Sequence, residues 1–346
     1  MSRVWITGTG AVGPFGLGLP EGLPASLPAG GSETFRLVSG NLPLKEGFPP
    51  GAMRWLDASS LWWINAARQA LGDGAIAPDV PPDSPKTAQV VGLGWGSTPP
   101  VLALVEQIRD EGYAGMAPAL FPYSVGNAPA AQAGILLGLK GAAITLTAKE
   151  AGGLAAVVEG IRLVEGGLAG ACVAGGVDQA DPFIQRVLRA MRRGARMPAG
   201  EGAYALKLQG CSEPPPGALA RVASRITRST PCPAHHFPEG GPLLEAVSED
   251  LLARAGWERD RVDLVVLPTD RPDLERASRS LAERLFPSAA SLRFQDSLGA
   301  CGASWAGAAG LAAREIARGR ARCALLVALA TGGCAWGLAL ERAHAK

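Results

Sequence analysis

The sequence predicts an α/β fold, and three observations carry that reading. Short apolar runs show little alternation, as strands covered on both faces do. Longer runs of helical period stand between them. The chain is also long enough, at 346 residues with 47% hydrophobic residues, to bury a large core. That apolar fraction falls in the globular range of about 45–50%, and Gly 46 with Pro 28 stays below the level of a low-complexity chain.

The strand candidates are 4–7, 89–93, 143–147, 169–174, 263–267 and 323–328. The helix candidates are 61–71, opening behind the potential caps Asp57, Ser59 and Ser60, then 101–110, 152–164, 243–255, 274–285 and 303–317. Pro/Gly-rich stretches at 13–52, 78–86 and 210–240 read as irregular, the last being the connection between two halves, 1–208 and 209–346. The halves resemble each other in outline: 144–176 runs strand, small-residue turn, helix, Gly, strand, and 294–333 runs turn, glycine-rich helix, Gly, strand. Such internal similarity predicts two related α/β units packed as one.

Composition excludes several functions. Lys+Arg 33 against Asp+Glu 31 leaves a formal +2, and there is no basic stripe interleaved with aromatics, so nucleic acid is not an expected partner. The six cysteines include no C-x-x-C pair and lie mostly in apolar segments, which predicts a reduced, cytoplasmic protein without a zinc site. No apolar signal core follows the amino terminus. Residues 323–340 carry no charge over a length that matches a membrane span, but Thr331-Gly332-Gly333 interrupts them. Two buried strands joined by a turn are expected there, and no membrane span.

Three weaker motifs have ordinary explanations. Gly8-Thr9-Gly10-Ala11-Val12-Gly13 matches the dinucleotide-binding pattern, but Pro14, Gly16, Gly18 and Pro20 forbid the helix that the pattern needs, so it reads as a turn of close backbone packing. His235 and His236 sit in a Pro-rich loop without ligands at metal spacing, and the third histidine, His344, is at the tail. The arginines at 186, 189, 192, 193 and 196 read as a solvated helix face, with an acidic carrier protein as the alternative.

The most informative segment is 134–178. There an apolar strand ends in a turn and a helix begins at Ala151-Gly152-Gly153, so the residue ahead of the helix points at whatever lies beyond the free N–H groups. Glu150 holds that place.

In these motifs the chain resembles the β-ketoacyl synthases of the thiolase fold. The family's T-G-x-G-x-V is matched from Ile6 to Val12, its Asn by Asn127, and its L-G-L-x-G from Leu137 to Gly141. Its A-G-G follows at Ala174 to Gly176, its G-E-G-A at Gly200 to Ala203 and its L-G-A-x-G at Leu298 to Gly302. The resemblance implies two duplicated halves in an α-β-α-β-α layering. It also implies a deletion between Asp178 and Gly200, where the family has a cap loop. Its catalytic residues do not carry over. Glu150 stands at the nucleophilic cysteine, Pro268 and Asp296 at the two histidines, and Thr331 at the phenylalanine of the closing glycine-rich turn. A carboxylate cannot hold an acyl thioester, so no catalytic residue is expected.

Within the family, Lys149-Glu150-Ala151-Gly152-Gly153-Leu154 is similar to the elbow of the chain-length factors of type II polyketide synthases. That implies a non-catalytic subunit paired with an active ketosynthase. It would shape the tunnel for chains held on the phosphopantetheine of an acyl carrier protein, which reaches the pair through the partner, with no cofactor or metal of its own. Tyr113, Met116, Phe121, Tyr123 and Asn127 are then candidates for the tunnel or the dimer interface. The alternatives are a malonyl-thioester decarboxylase, disfavoured by the absent histidines and the charge of Glu150, and a stand-alone acyl-chain binding protein.

Overall fold

The computed structural model describes residues 3–21, 35–38, 40, 42–48, 51, 56–72, 87–96, 98–191, 198–269 and 271–342. Ten strands follow one another along its main sheet. The first five in the chain are β1 (Arg3–Gly13), β2 (Ala88–Leu93), β3 (Ala143–Thr147), β4 (Ala171–Asp178) and β5 (Gly202–Cys211). The second five are β6 (Ala220–Ser229), β7 (Leu264–Val266), β8 (Ala290–Ser291), β9 (Cys323–Ala330) and β10 (Cys334–Glu341).

Their spatial order is β8-β7-β9-β10-β6-β1-β5-β4-β2-β3. Read outward from the middle, each half therefore runs first, fifth, fourth, second, third strand. The pairing senses match as well: β1–β5 and β5–β4 are antiparallel and β4–β2 and β2–β3 parallel, as are β6–β10, β10–β9, β9–β7 and β7–β8 in turn. Within the main sheet, among the described residues, the two sets of strands pair at Trp5 opposite Arg221 and Ile6 opposite Ala220. Strand β5 continues to Cys211, past the division expected at 208/209, and the chain crosses between the two sets of strands at 212–219.

The helices are α1 (Ala58–Leu71), α2 (Thr98–Glu111), α3 (Ala128–Leu136), α4 (Gly152–Glu165), α5 (Pro182–Met191), α6 (Gly240–Ala255), α7 (Pro272–Leu285), the single turn α8 (Gln295–Leu298) and α9 (Ser304–Ala317). Five layers result. Trp62, Trp63 and Ala66 of α1 and Ala133 of α3 cover the outer face of the first half, on Val91, Val173 and Ala205. Helices α4 and α9 fill the space between the halves, against Ile6, Val90, Ala174 and Leu206 on one side and Val266, Leu326 and Leu338 on the other. Leu244, Val247 and Leu281 of α6 and α7 cover Val265, Leu325 and Val327. Period-two alternation thus splits β9 between two apolar environments, Leu325, Val327 and Leu329 outward and Leu326 and Ala328 inward. Every residue of β9 is buried, and its run of apolar residues shows no visible period.

The uncharged stretch 323–340 forms β9 and most of β10, antiparallel around a turn at 331–333. Among the described residues no helix is long and apolar enough to cross a membrane.

The structure corrects several expectations. The stretch 210–240 is not all irregular, since it contains the ten-residue β6, whose alternating small residues are interrupted by Arg221, Arg225 and Arg228. Strand β5 and the helix α3 lay outside the expected elements; α3 reads APAAQAGIL, a small-residue run with little amphipathic contrast. Helix α5 lies between Asp178 and Gly200, and of the arginine run Arg186 and Arg189 lie on its exposed face, as expected, while 192, 193 and 196 lie outside the described residues. Asp57 holds the N-cap position of α1 without a side-chain cap bond, accepting instead from the hydroxyl of Ser59, and Ser59 and Ser60 lie inside the helix.

Gly8 and Gly10 are in the body of β1, so the glycine pattern marks a strand and not a turn. Their close packing is real: a Cβ on Gly8 would strike the carbonyl oxygen of Ala70, and one on Gly10 the carbonyl oxygen of Ala66 and, at 2.8 Å, the nitrogen of Ala70, all on α1. A valine at Gly10 should therefore lower stability by about 1–3 kcal/mol, whereas Gly51→Ala, with nothing within 4 Å, should change it by less than about 0.5 kcal/mol. Urea midpoints of the two variants measure the contrast.

Candidate functional site

Strand β3 ends at Thr147, and the backbone turns sharply into α4 through a short 3-10 turn, Lys149–Ala151. Lys149 has φ 49°, the only non-glycine residue with positive φ among the described residues. This is the elbow that the small residues predicted. Two glycines let α4 sit close to its surroundings: a Cβ on Gly152 would lie 3.0 Å from the carbonyl oxygen of Leu93, and one on Gly153 2.6 Å from that of Ala303.

The entry to α9 faces the start of α4. The Gly153 N–H donates to the Gly302 carbonyl at 2.8 Å, and a Cβ on Gly302 would run into the carbonyl oxygen of Lys149. The Gly-rich signature at 298–302 is thus the surface against which the elbow rests. Cys301 within it is buried, which pushes its thiol up, with the carboxylate of Asp178 adding to the shift. It is an inert core thiol.

Asp178 ends β4 beneath this junction and is 1% exposed. One carboxylate oxygen accepts the N–H groups of Gly94 (2.7 Å) and Trp95 (3.2 Å), and the other accepts that of Ala303 (2.9 Å), with the N–H of Gly302 also in range. Burial raises its pKa from 3.8 to about 6, and the four N–H groups oppose that rise. The sequence reading missed Asp178. The available signal was a carboxylate closing the otherwise apolar β4, ACVAGGVD.

The structure joins two of the four positions of interest. The Glu150 carboxylate accepts the backbone N–H of Thr331 at 3.0 Å and the Thr331 hydroxyl at 3.2 Å. Lys149 donates from Nζ to the carbonyls of Ala234 at 2.6 Å and Thr331 at 3.4 Å. Pro268 lies beyond the end of β7, its carbonyl accepting from the buried Ser278 hydroxyl at 2.7 Å. Asp296, in α8, pairs with Arg293 at 3.1 Å, and its carbonyl accepts from Arg36. No bond links either of these two to Glu150 among the described residues. His235 and His236 are exposed, in a loop held to the closing turn by the Gly332 N–H on the His236 carbonyl at 2.9 Å. His344 lies outside the described residues.

Tyr113, Phe121 and Asn127 are exposed, and Met116 and Tyr123 are half-buried. Tyr113 is 83% and Phe121 58% exposed; Val105 (56%), on the adjoining α2, and Ile135 (73%), on α3, are exposed as well. A separate cleft of about 280 Å³ lies between α7 and β7, lined by Val265, Leu267, Ser278, Phe286 and Leu292 and by no residue of the elbow.

With this geometry in hand, the chain can be compared with known proteins. The model of the β-ketoacyl synthase N-terminal domain matches residues 41–204. That stretch is just under half of the chain. A curated relative, 3-oxoacyl-[acyl-carrier-protein] synthase 2 of Rhizobium meliloti (strain 1021), is 26% identical over 204 residues. That match spans 51% of this chain and 47%, about half, of the relative. Three solved structures superpose over 99% of the chain with a TM-score of 0.79 each. They are the ishigamide ketosynthase/chain length factor (20% identical, all of that chain), a β-ketoacyl synthase of Burkholderia phymatum STM815 (17%, all of that chain) and a type II polyketide synthase ketosynthase, bound to the hexaketide, in complex with its acyl carrier protein (16%, 99% of that chain). At these identities they establish the thiolase-like ketosynthase fold.

Asp178 generates a test. Replacing it with asparagine turns an amide donor toward at least one backbone N–H group, which then has no acceptor, and should cost about 2–3 kcal/mol at pH 7 in chemical denaturation. Because its folded pKa is raised above the unfolded value, its contribution is fullest below pH 4 and is lost as pH rises through 6. The difference in stability between wild type and Asp178→Asn should therefore change between pH 4 and 6, by roughly 3 kcal/mol at about 1.4 kcal/mol per pKa unit, and flatten above pH 7.

Proposed function

We propose that this chain is a non-catalytic, chain-length-factor-like subunit that pairs with an active ketosynthase and shapes the tunnel for carrier-protein-bound polyketide chains. The observation that carries the reading is Glu150 at the elbow. By the resemblance in sequence it stands for the cysteine of the family's condensing members, and its carboxylate is engaged by the N–H and hydroxyl of Thr331. A bonded carboxylate is neither a thiolate nor an acyl acceptor. Pro268 and Asp296 offer no imidazole to stabilise an enolate, and each is tied to neighbours of its own.

The proposed partner face is the outer end of the first half. Strand β3 closes the sheet there with one edge unpaired among the described residues and with no charge or proline in AITLT, the features that normally protect an edge. Exposed Ile135 stands on α3, which packs against β3, and exposed Val105, Tyr113 and Phe121 stand on α2 and the turns that follow it. A pseudo-twofold partner with a related edge would continue the sheet and cover these side chains. The carrier protein would reach the pair through the catalytic partner.

Co-expression with an intact Cys-His-His ketosynthase from the same genome should give a one-to-one complex that condenses malonyl units. This chain alone should neither condense nor release carbon dioxide from malonyl-carrier protein. Ile135→Glu should weaken the complex at least tenfold in sedimentation or titration experiments and leave the fold of the free chain intact. A free homodimer that decarboxylates malonyl-carrier protein would instead make the chain a priming enzyme. Tight binding of acyl chains without any ketosynthase would make it a carrier of such chains.

A further inference from the structure

The elbow does more in this chain than present Glu150. A lysine at φ 49° is strained, by about 1 kcal/mol or more, relative to a glycine in the same place. The conformation aims its side chain across to the second half, where Nζ meets two backbone carbonyls, Ala234 at 2.6 Å and Thr331 at 3.4 Å. One belongs to the loop after β6 and the other to the turn between β9 and β10.

That loop has little burial to hold it. Pro231, Pro233, Ala234, His235 and His236 are exposed, and Cys232 is half-buried. Its attachments are hydrogen bonds: Thr230 N–H to the Gly333 carbonyl at 2.8 Å, Gly332 N–H to the His236 carbonyl at 2.9 Å, and the Lys149 ammonium on Ala234 between them. Inside the loop, the Cys232 thiol donates to the His236 carbonyl at 3.1 Å, and the His236 N–H donates to Pro233 at 2.9 Å. The segment from 230 to 236 therefore arches over the turn as a strap, hydrogen-bonded at both ends to Gly332-Gly333 and, among the described residues, at its middle to the lysine. Glu150, next in sequence, holds the same turn from below through Thr331.

We infer that Lys149 is a positioning residue that pins the 230–236 strap and the 331–333 turn onto the elbow, and that breaking its two contacts lets the strap lift away from Lys149 and Glu150. The inference rests on this bonding alone and stands or falls independently of any partner subunit. A charged donor on a carbonyl is stronger than a neutral bond, so the pin is the strongest single tie along the middle of the strap.

Two substitutions in the full-length chain separate this role from plain stability. Lys149→Met keeps the bulk and the backbone strain and removes the donor; Lys149→Gly removes the donor and relieves the strain as well. The reporter is Cys232, alkylated by iodoacetamide and followed by peptide mass spectrometry, with backbone hydrogen exchange read over 230–237. Both variants should alkylate Cys232 at least five times faster than wild type and exchange faster in that segment. The buried Cys172 and Cys301 should stay unreactive, and Lys149→Gly should melt no lower than wild type. Unchanged Cys232 reactivity and exchange in both variants would overturn the inference, as would a parallel rise at Cys172 and Cys301, which reports global unfolding. If Lys149→Met does not fold, the glycine variant decides alone.

Discussion

The meeting of two buried helix starts governs this molecule. Helices α4 and α9 approach so closely at Gly152, Gly153, Gly302 and Ala303 that one backbone N–H bonds across to the other segment's carbonyl, and an added Cβ on either glycine would collide with backbone. Helix starts carry N–H groups with no partner in their own helix, and burying such groups is costly. Asp178 answers this at the one place where the second half's loop, the elbow and the end of β2 converge, gathering four N–H groups with two oxygens. Gly153 in α4, Gly176 in β4 and Gly302 before α9 all face that approach, where an added Cβ would meet backbone.

The same constraint explains how the scaffold stays in order while the chemistry of its centre changes. Packing at the junction depends on residues without side chains, so the side chains that project from the elbow are free to differ. Those present here are not idle. Glu150 is engaged by Thr331, Lys149 by two carbonyls, Pro268 through its carbonyl by Ser278, and Asp296 by Arg293. Each has a local bonding role that needs neither thiolate nor imidazole. A centre of this kind is consistent with a fold retained for shape and association.

Much of the fold was legible in the sequence because the signals are local. Apolar runs without alternation marked β2, β3 and β9. Helical periods marked α1, α2, α4, α6, α7 and α9, and glycine at 332–333 marked the turn that makes two strands of one uncharged stretch. The elements that escaped lack such signals. In β6, three arginines interrupt the alternation, and one of them, Arg221, turns inward to the buried Glu341. In α3 the residues are too uniformly small to show a face. The glycine pattern at 8–13 was readable as close packing but not as strand, because only the neighbouring helix α1 shows what the glycines make room for.

For the candidate site the division is sharper. The sequence by itself determined the elbow and the residue at its tip, since both are properties of adjacent positions. Only the tertiary structure decided what these residues touch. Glu150 and Thr331 are 181 positions apart, Lys149 and Ala234 85, and Asp178 and Ala303 125. Contacts of that kind are set by the order in which ten strands pair and two helices cross, and no local pattern encodes them.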